Sequence, residues 1–321
     1  VKPIVIPLPT RHPMLWHIYF EILLPIYIRL YKIDVLFSPE GYVPTRVKSP
    51  MLCTIHDINF EHDKTYIGNR VYQRYMEYFT PRFAKSANAV LTVSEFSKQD
   101  IATTYKIDEN KIFNVESSAN EEYVTYSKEE NERTRERYSN SCPYFYFVGS
   151  LQKRKNLTNL FRAFDLFKDK TQSNVKLLIV GSKKWWKGEI EDTFNAMRFR
   201  NEVIFMGRLP LEEVNRIASA SIGLVFVSFF EGFGVPPLEA YRSSTAVITS
   251  NTSSMPEIAG EGALYANPYD VNSICEAMIR LYSNPLLREE LIRKGQEQAK
   301  KYSWDKTAEL VWNAIEKVLK K

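Results

Sequence analysis

From residue 222 the chain reads Ile222-Gly-Leu-Val-Phe-Val-Ser228-Phe-Phe-Glu231-Gly232-Phe233-Gly234-Val235-Pro236-Pro237-Leu238-Glu239-Ala240. The near-continuous apolar run Ile222–Val227 has strand length and predicts a strand covered on both faces, as in a parallel sheet. Two glycines then make a turn, and the Pro236-Pro237 pair opens a helix, where the missing proline N–H is not needed. Such a strand–turn–helix is one half of a right-handed βαβ crossover, and it decides the fold class as α/β.

The same alternation extends in both directions. Upstream in this half, strands are predicted at Tyr144–Val148, Val175–Val180 and Val203–Met206, and downstream at Ala246–Thr249. Helices fall between them at Leu157–Lys168, Glu189–Phe199, Leu211–Ala220 and Pro236–Arg242. Earlier in the chain, strand-like runs at Asp34–Phe37, Met51–Ile55, Ala89–Val93 and Lys111–Val115 alternate with helical stretches at Arg70–Ala84 and Glu95–Tyr105. Between the two series, Ser127 to Ser141 is charged and poor in core residues, which suits either an interdomain linker or a surface helix. The predicted organisation is a first α/β domain over 1–135 and a second over 136–303. Three amphipathic helices close the chain at Val271–Ser283, Pro285–Lys301 and Trp304–Leu319, the last standing apart as 304–321.

At 321 residues there is material for two cores. With 44% hydrophobic and 25% charged residues, the composition excludes disorder, collagen and coiled coil. A net charge of +5 suits a phosphate-bearing ligand or an anionic surface and is too weak to argue for nucleic acid. Cys53, Cys142 and Cys275 have no metal-ligand spacing and point to a reducing compartment. The apolar stretch Met14–Tyr31 is interrupted by His17, Glu21, Pro25 and Arg29, so it does not read as a membrane span. It reads as a helix of the first domain's core, with peripheral lipid contact as the alternative. The chain opens on Val1 inside an apolar run, which suggests that a preceding piece is not represented.

Three segments carry chemistry. In the quoted stretch, Gly232 and Gly234 let backbone approach a ligand closely and expose amides at a helix start, a natural place for anionic oxygens. Glu231 and Glu239 flank that turn. An ionised carboxylate is acceptor-only and can take two hydroxyl hydrogens from a vicinal diol such as a ribose. The pair suits a ligand with a diphosphate in the middle and hydroxyls at both ends. An ordinary turn, with Glu239 merely favouring the positive helix end, remains the competing reading. A dinucleotide fingerprint fits poorly, because Pro237 replaces the third glycine. Second, Gly149-Ser-Leu-Gln-Lys153-Arg154-Lys155-Asn156 crowds three cations before a helix with Asn156 as N-cap, which suits a diphosphate or a solvated basic turn. Third, His56-Asp57 follows the strand Met51–Ile55. His56 reads as a polar substrate contact or a structural histidine, and a metal site with Asp57, His62 and Asp63 has no recognised spacing.

With these segments in place, the chain resembles the retaining, nucleotide-sugar-dependent glycosyltransferases of the GT-B fold, family four. Glu231 to Ala240 match that family's Glu-Gly-Phe-Gly-x-Pro-x-x-Glu-Ala pattern, and Phe147-Val-Gly149-Ser-Leu with Arg154-Lys155-Asn156-Leu157 resembles its diphosphate segment. Thr54-Ile-His56-Asp57, Val93-Ser94-Glu95-Phe96-Ser97-Lys98, Met206-Gly207-Arg208-Leu209 and Tyr302-Ser303-Trp304 match its habits as well.

The resemblance implies two Rossmann-like doubly wound domains facing a cleft, the N-terminal one lacking its first strand, and a last helix crossing back to it. It implies catalytic roles for His56, Glu231, Arg154 and Lys155. Donor binding would fall to Gly149, Arg154, Lys155, the amides of Phe233, Gly234 and Val235, and Glu239 on the ribose, with Ser94 on the acceptor side. No metal or other cofactor is implied, because the cations take that place.

The implied activity is a cytoplasmic, metal-independent hexosyltransferase of polysaccharide biosynthesis, with contact at the inner membrane face. It would move a sugar, mannose by analogy, from a nucleotide donor to a glycan or lipid-linked acceptor. A non-catalytic GT-B binding subunit and a nucleotide-sugar epimerase are the alternatives. On this reading Glu231→Ala removes transfer with little loss of folding. Ser117-Ser118-Ala119-Asn120-Glu121 departs from the family's usual Pro-Asn-Gly before an acid.

Overall fold

The computed structural model describes residues 3–8, 13–66, 69–186 and 188–320. Val1, on which the reading of an unrepresented start rests, lies outside them. The chain divides into two compact units, Val1–Glu116 with Asp305–Lys321, and Ser117–Trp304.

Unit 1 holds strands β1 (Leu36–Ser38), β2 (Met51–Thr54), β3 (Ala89–Thr92) and β4 (Ile112–Asn114), hydrogen-bonded in that order and all parallel. Helices α1 (Pro13–Ile18), α2 (Leu24–Leu30), α3 (Asn59–His62), α4 (Arg70–Ser86) and α5 (Glu95–Tyr105) connect and flank them. Strands β2 and β3 are buried throughout, as two-sided cover requires. One face packs Met51, Cys53 and Val90 against Tyr75 and Phe83 of α4.

Unit 2 holds β5 (Tyr144–Val148), β6 (Lys176–Val180), β7 (Val203–Gly207), β8 (Gly223–Phe226), β9 (Val247–Ser250) and β10 (Ala263–Ala266). Helices α6 (Lys128–Ser139), α7 (Leu157–Thr171), α8 (Glu189–Ala196), α9 (Leu211–Ser219), α10 (Val235–Arg242), α11 (Met255–Ala259), α12 (Val271–Ser283) and α13 (Pro285–Ala299) surround the sheet. The strand order is β10-β9-β8-β5-β6-β7, all parallel. The strand order therefore reverses between β5 and β8, and ligands of open α/β sheets bind outside the carboxyl ends of the strands at such a switch point. The last helix, α14 (Trp304–Leu319), belongs with unit 1 from Asp305 onward, where Ala314 and Val318 pack on Leu52, Ala89 and Leu91.

Three expectations need correction, one open reading is decided, and one strand was missed. The division falls after Glu116 rather than after 135. The charged stretch from Ser127 is a true helix of unit 2: Ser127 and Glu130 form a reciprocal capping box, and Arg135 donates to the Ala220 carbonyl at 3.1 Å. Strand β10 was unforeseen, since Ala263–Ala266 contains two alanines, poor strand formers, and follows a glycine-rich turn. The helix expected to reach Phe199 stops at Ala196, because Asp165 accepts from the amides of Arg198 and Phe199 at 3.0 and 2.8 Å. Finally, the stretch from Leu15 to Tyr31 is no core helix. It breaks into α1, a π turn and α2, and Ile22, Ile26 and Leu30 are 51%, 54% and 68% exposed, leaving Ile28 as the buried residue of α2.

Candidate functional site

Both motif segments emerge at the switch point of unit 2, one from β5 and the other from β8. The sequence alone sets this: each buried strand ends in a glycine-bearing turn before a helix. The turn after β8 is fastened by a serine pair on the loop after β9. Ser253 Oγ accepts from the Glu231 amide at 3.1 Å, and Ser254 Oγ donates to the carbonyls of Glu231 and Phe233, both at 2.9 Å. Gly234 has φ +88°, a conformation glycine adopts at little cost, and a Cβ there would come 2.1 Å from Met255 Cε. Phe233 is buried edge-on against Tyr302, ring centroids 5.5 Å apart. Pro236 and Pro237 have no N–H, so the donors at this helix start are the amides of Phe233, Gly234 and Val235.

On this frame Glu231 is buried and gripped by two cations. Arg154 Nη1 donates to its Oε2 and Lys155 Nζ to its Oε1, each at 2.7 Å. Arg154 also donates to the Phe230 carbonyl at 2.6 Å, and the Arg154 carbonyl accepts from the Phe229 amide at 2.9 Å, which locks the two segments together. Lys155 Nζ stands 4.8 Å from the centroid of the Phe226 ring. Burial pushes the Glu231 carboxyl up, but the charges of Lys155 and Arg154 outweigh it and hold the group below its ordinary value. The result is an ionised carboxylate in a dry place, with two positive charges converging on it.

Asn156 does not cap α7. It sits in the left-handed region, φ +58°, and its Nδ2 donates to the carbonyls of Val227 and Pro268 at 2.8 and 2.7 Å. It therefore fixes the exit of β8 rather than the start of the helix. Glu239, one turn into the site helix, behaves oppositely to Glu231. Burial raises its carboxyl to about 7, and a hydrogen bond from Tyr123 pulls it down. One turn-forming carboxylate is thus held charged and its partner stands near neutrality.

Beside these groups a cavity of about 290 Å³ opens at the ends of β5, β6 and β7, lined by Gly149, Ser150, Gly181, Ser182, Lys184 and Arg208. Gly181 is there because a Cβ would lie 1.9 Å from the Gly149 carbonyl oxygen. Gly181, Lys184, Tyr123 and the Ser253-Ser254 pair were not singled out from sequence. The glycine directly after the strand Val175–Val180 was a usable signal; the contacts of Tyr123 and the serines join residues far apart in the chain, which no local pattern reports.

In unit 1, His56 follows β2 and is exposed, its carbonyl accepting from Thr92 Oγ1 at 3.5 Å. Ser94, expected on the acceptor side, is fully buried and its Oγ caps α5, accepting from the Ser97 amide at 3.0 Å. The residues weighed as a metal site are drawn into other bonds: His62 Nε2 lies 2.9 Å from both Asp100 oxygens, and Asp63 accepts from Thr65. Among the described residues no helix is long and apolar enough to cross a membrane.

Comparison with known proteins places this geometry. A family model described as "Glycosyl transferases group 1" matches residues 128–298, more than half of the chain, and one described as "Glycosyltransferase Family 4" matches residues 1–115. The chain is 28% identical over 289 residues to O-antigen chain mannosyltransferase B of Escherichia coli, covering 89% of this chain and 75% of the relative. It is 27% identical to the serotype-specific mannosyltransferase WbdA of Escherichia coli, over 88% of this chain and 34% of that longer protein, so it spans about a third of WbdA. The crystal structure of Anabaena HepE in complex with UDP and glucose superposes with a TM-score of 0.76 at 12% identity, covering 92% of this chain and 80% of that one. The shared fold is two parallel-sheet α/β domains of GT-B type.

Proposed function

Because the chain belongs to the group 1 glycosyl transferases and is a glycosyltransferase, we propose that it is a retaining hexosyltransferase that takes mannose from a nucleoside diphosphate donor. The acceptor is a glycan or lipid-linked saccharide in polysaccharide assembly, a class supported by the names of its O-antigen relatives. The observation that carries the reading is the buried Glu231 held between Arg154 and Lys155 at the switch point of unit 2.

The donor diphosphate docks on Arg154, Lys155 and the amides of Phe233, Gly234 and Val235. The cavity beside Gly149 takes the nucleoside base, and Glu239 accepts from the ribose hydroxyls. As the sugar–phosphate bond breaks, positive charge grows on the anomeric carbon and negative charge on the leaving diphosphate. Arg154 and Lys155 stabilise that negative charge more in the transition state than before it, which is what accelerates a reaction. Glu231 accepts from a hydroxyl of the transferred sugar. Each of its oxygens is already held by a cation, which makes it a weak nucleophile and favours same-face attack with the leaving phosphate receiving the acceptor's proton. His56 lies on the reacting-carbon side. The two cations supply the charge a metal would otherwise bring, so turnover persists in EDTA.

Catalysis takes place in the cytoplasm at the inner membrane face, with exposed Ile22, Ile26 and Leu30 of unit 1 as the peripheral contact. The test is incubation of the chain with GDP-mannose and a panel of UDP-sugars and a lipid-linked acceptor, read by nucleotide release and product mass. Transfer that is lost in Glu231→Gln supports the proposal. Binding without hydrolysis or transfer would point to a non-catalytic subunit, and conversion of the donor sugar without transfer to an epimerase.

A further inference from the structure

The strand order of unit 2 lays the site out in a line. The cavity lined by Gly149 and Arg208 opens at the ends of β5, β6 and β7, and the cluster of Arg154, Lys155 and Glu231 follows β5 and β8. On the far side of β8, two strand spacings or about 10 Å away, lies the end of β10. The loop that leaves β10 carries Tyr269, whose ring is 67% exposed and stacks on Phe229, centroids 5.0 Å apart and planes at 28°. Phe229 belongs to the turn that carries Glu231. Its amide donates to the Arg154 carbonyl at 2.9 Å, and its carbonyl accepts from Thr252 Oγ1 at 3.3 Å.

The exposed ring is held still. The Pro268 carbonyl accepts from Asn156 Nδ2 at 2.7 Å and from Asn159 Nδ2 at 2.9 Å. The Tyr269 amide donates to Asn267 Oδ1 at 3.0 Å, and the Asp270 amide to the Asn267 carbonyl at 3.1 Å. One face of the tyrosine ring lies on Phe229 and the other is left to water. A fixed aromatic surface of this kind gives a ligand a large contact area at little cost in conformational entropy. We propose that Tyr269, backed by Phe229, is a saccharide subsite on which a hexopyranose ring of the acceptor glycan stacks through its C–H face. This rests on the roles given to Glu231 and to the acceptor in the preceding subsection. On that reading, base, diphosphate and transferred sugar run from β7 towards β8, so the ring that receives the sugar falls on the β10 side. The same order puts the nucleoside base on the opposite side of Glu231 from Tyr269, which argues against base stacking there.

The experiment measures transfer with acceptor and donor varied separately, for wild type, Tyr269→Ala, Tyr269→Phe and Tyr269→Trp. Binding of mannotriose, maltotriose and chitotriose is followed without donor by saturation-transfer NMR. Tyr269→Ala raises the acceptor KM roughly 3- to 10-fold, the worth of one stacked ring, and leaves the donor KM where it was. Tyr269→Phe and Tyr269→Trp keep the ring and with it the wild-type acceptor KM. In the NMR experiment wild type saturates C–H protons on one face of a bound pyranose, and Tyr269→Ala loses that signal. An unchanged acceptor KM in Tyr269→Ala, or an equal loss in Tyr269→Phe, overturns the proposal. So does a change in donor KM alone, which would assign the ring to the nucleotide.

The donor-free measurement separates this proposal from the reading it rests on, because UDP and GDP binding reports the donor site with no acceptor present. If Arg154→Ala binds nucleotide as wild type does while Tyr269→Ala loses the trisaccharides, the donor assignment fails and the saccharide subsite stands. If Arg154→Ala weakens nucleotide binding while wild type binds none of the trisaccharides, or Tyr269→Ala binds them equally well, the subsite alone is refuted.

Discussion

Glu231→Gln is the substitution that separates what Glu231 does for the fold from what it does for the reaction. The carboxylate and its partners are largely out of water, with side chains 7% exposed for Glu231, 16% for Arg154 and 12% for Lys155. Glutamine keeps the shape but leaves one acceptor for two cations, and turns an N–H toward the other. Hydrogen bonds to charged groups contribute about 1.5–3 kcal/mol each, and breaking a buried pair costs about 3–5 kcal/mol when a charge is left uncompensated. The loss in Glu231→Gln is therefore about 2–4 kcal/mol. For a unit of this size that lowers Tm by roughly 5–12 °C. Alanine goes further and strands both cations, so the expectation that Glu231→Ala spares the fold does not survive the geometry.

The assay is thermal melting with and without saturating UDP or GDP, alongside transfer activity. A docked diphosphate replaces the missing negative charge, so nucleotide raises the Tm of Glu231→Gln more than that of wild type. Transfer falls on the order of 10²–10³-fold, as on loss of an oriented polar group in a transition state. Equal nucleotide stabilisation in both proteins would refute the reasoning, because it would place the diphosphate away from Arg154 and Lys155. So would a variant that melts with wild type.

Three further outcomes follow from the same site. Arg154→Ala weakens nucleotide binding by roughly 10- to 100-fold, the worth of a charge-assisted hydrogen bond, and calorimetry reads it directly. Glu239→Gln stabilises the ligand-free protein at pH 8 and not at pH 4.5. The folded-state carboxyl titrates at about 7, above its ordinary value, so the fold favours the protonated acid. Its penalty is absent below about pH 4.5, builds between there and 7, and reaches at most about 3 kcal/mol above. Melting at the two pH values checks this, and the same variant loses donor affinity. Gly234→Ala destabilises by about 1–2 kcal/mol even in a Met255→Ala background, since the thioether tip can move but the left-handed backbone cannot be relieved. Full recovery in the double variant would show that the clash with Met255 was the whole effect.

How much of this was written in the sequence depends on whether the interaction is local. Strand-length apolar runs such as Ile222–Val227 and the Pro236-Pro237 helix start are local, and so were legible, as were the two glycine-bearing turns that bring Arg154, Lys155 and Glu231 to one place. The ion triad itself was not. The sequence suggested cations placed for a diphosphate, and the structure shows both of them bonded to the Glu231 carboxylate. Asn156 illustrates a local rule overridden: its type suits an N-cap, but two carbonyls from distant loops take its amide. At Ser94 a local role went unread: the sequence suggested an acceptor-side contact, and its Oγ also caps α5 through the Ser97 amide. The exposed face of Leu15–Tyr31 was only the alternative to a core helix, because apolar composition does not say which side of a helix finds a partner.

The central claim is that a nucleotide-linked sugar places its diphosphate on Arg154 and Lys155. A crystal structure of the chain with a bound nucleoside diphosphate sugar tests it most directly. The account predicts diphosphate oxygens within about 2.7–2.9 Å of Arg154 and Lys155 nitrogens. The ribose should meet Glu239 and the sugar should meet Glu231. A diphosphate bound elsewhere, with both cations still closed on Glu231, would contradict it.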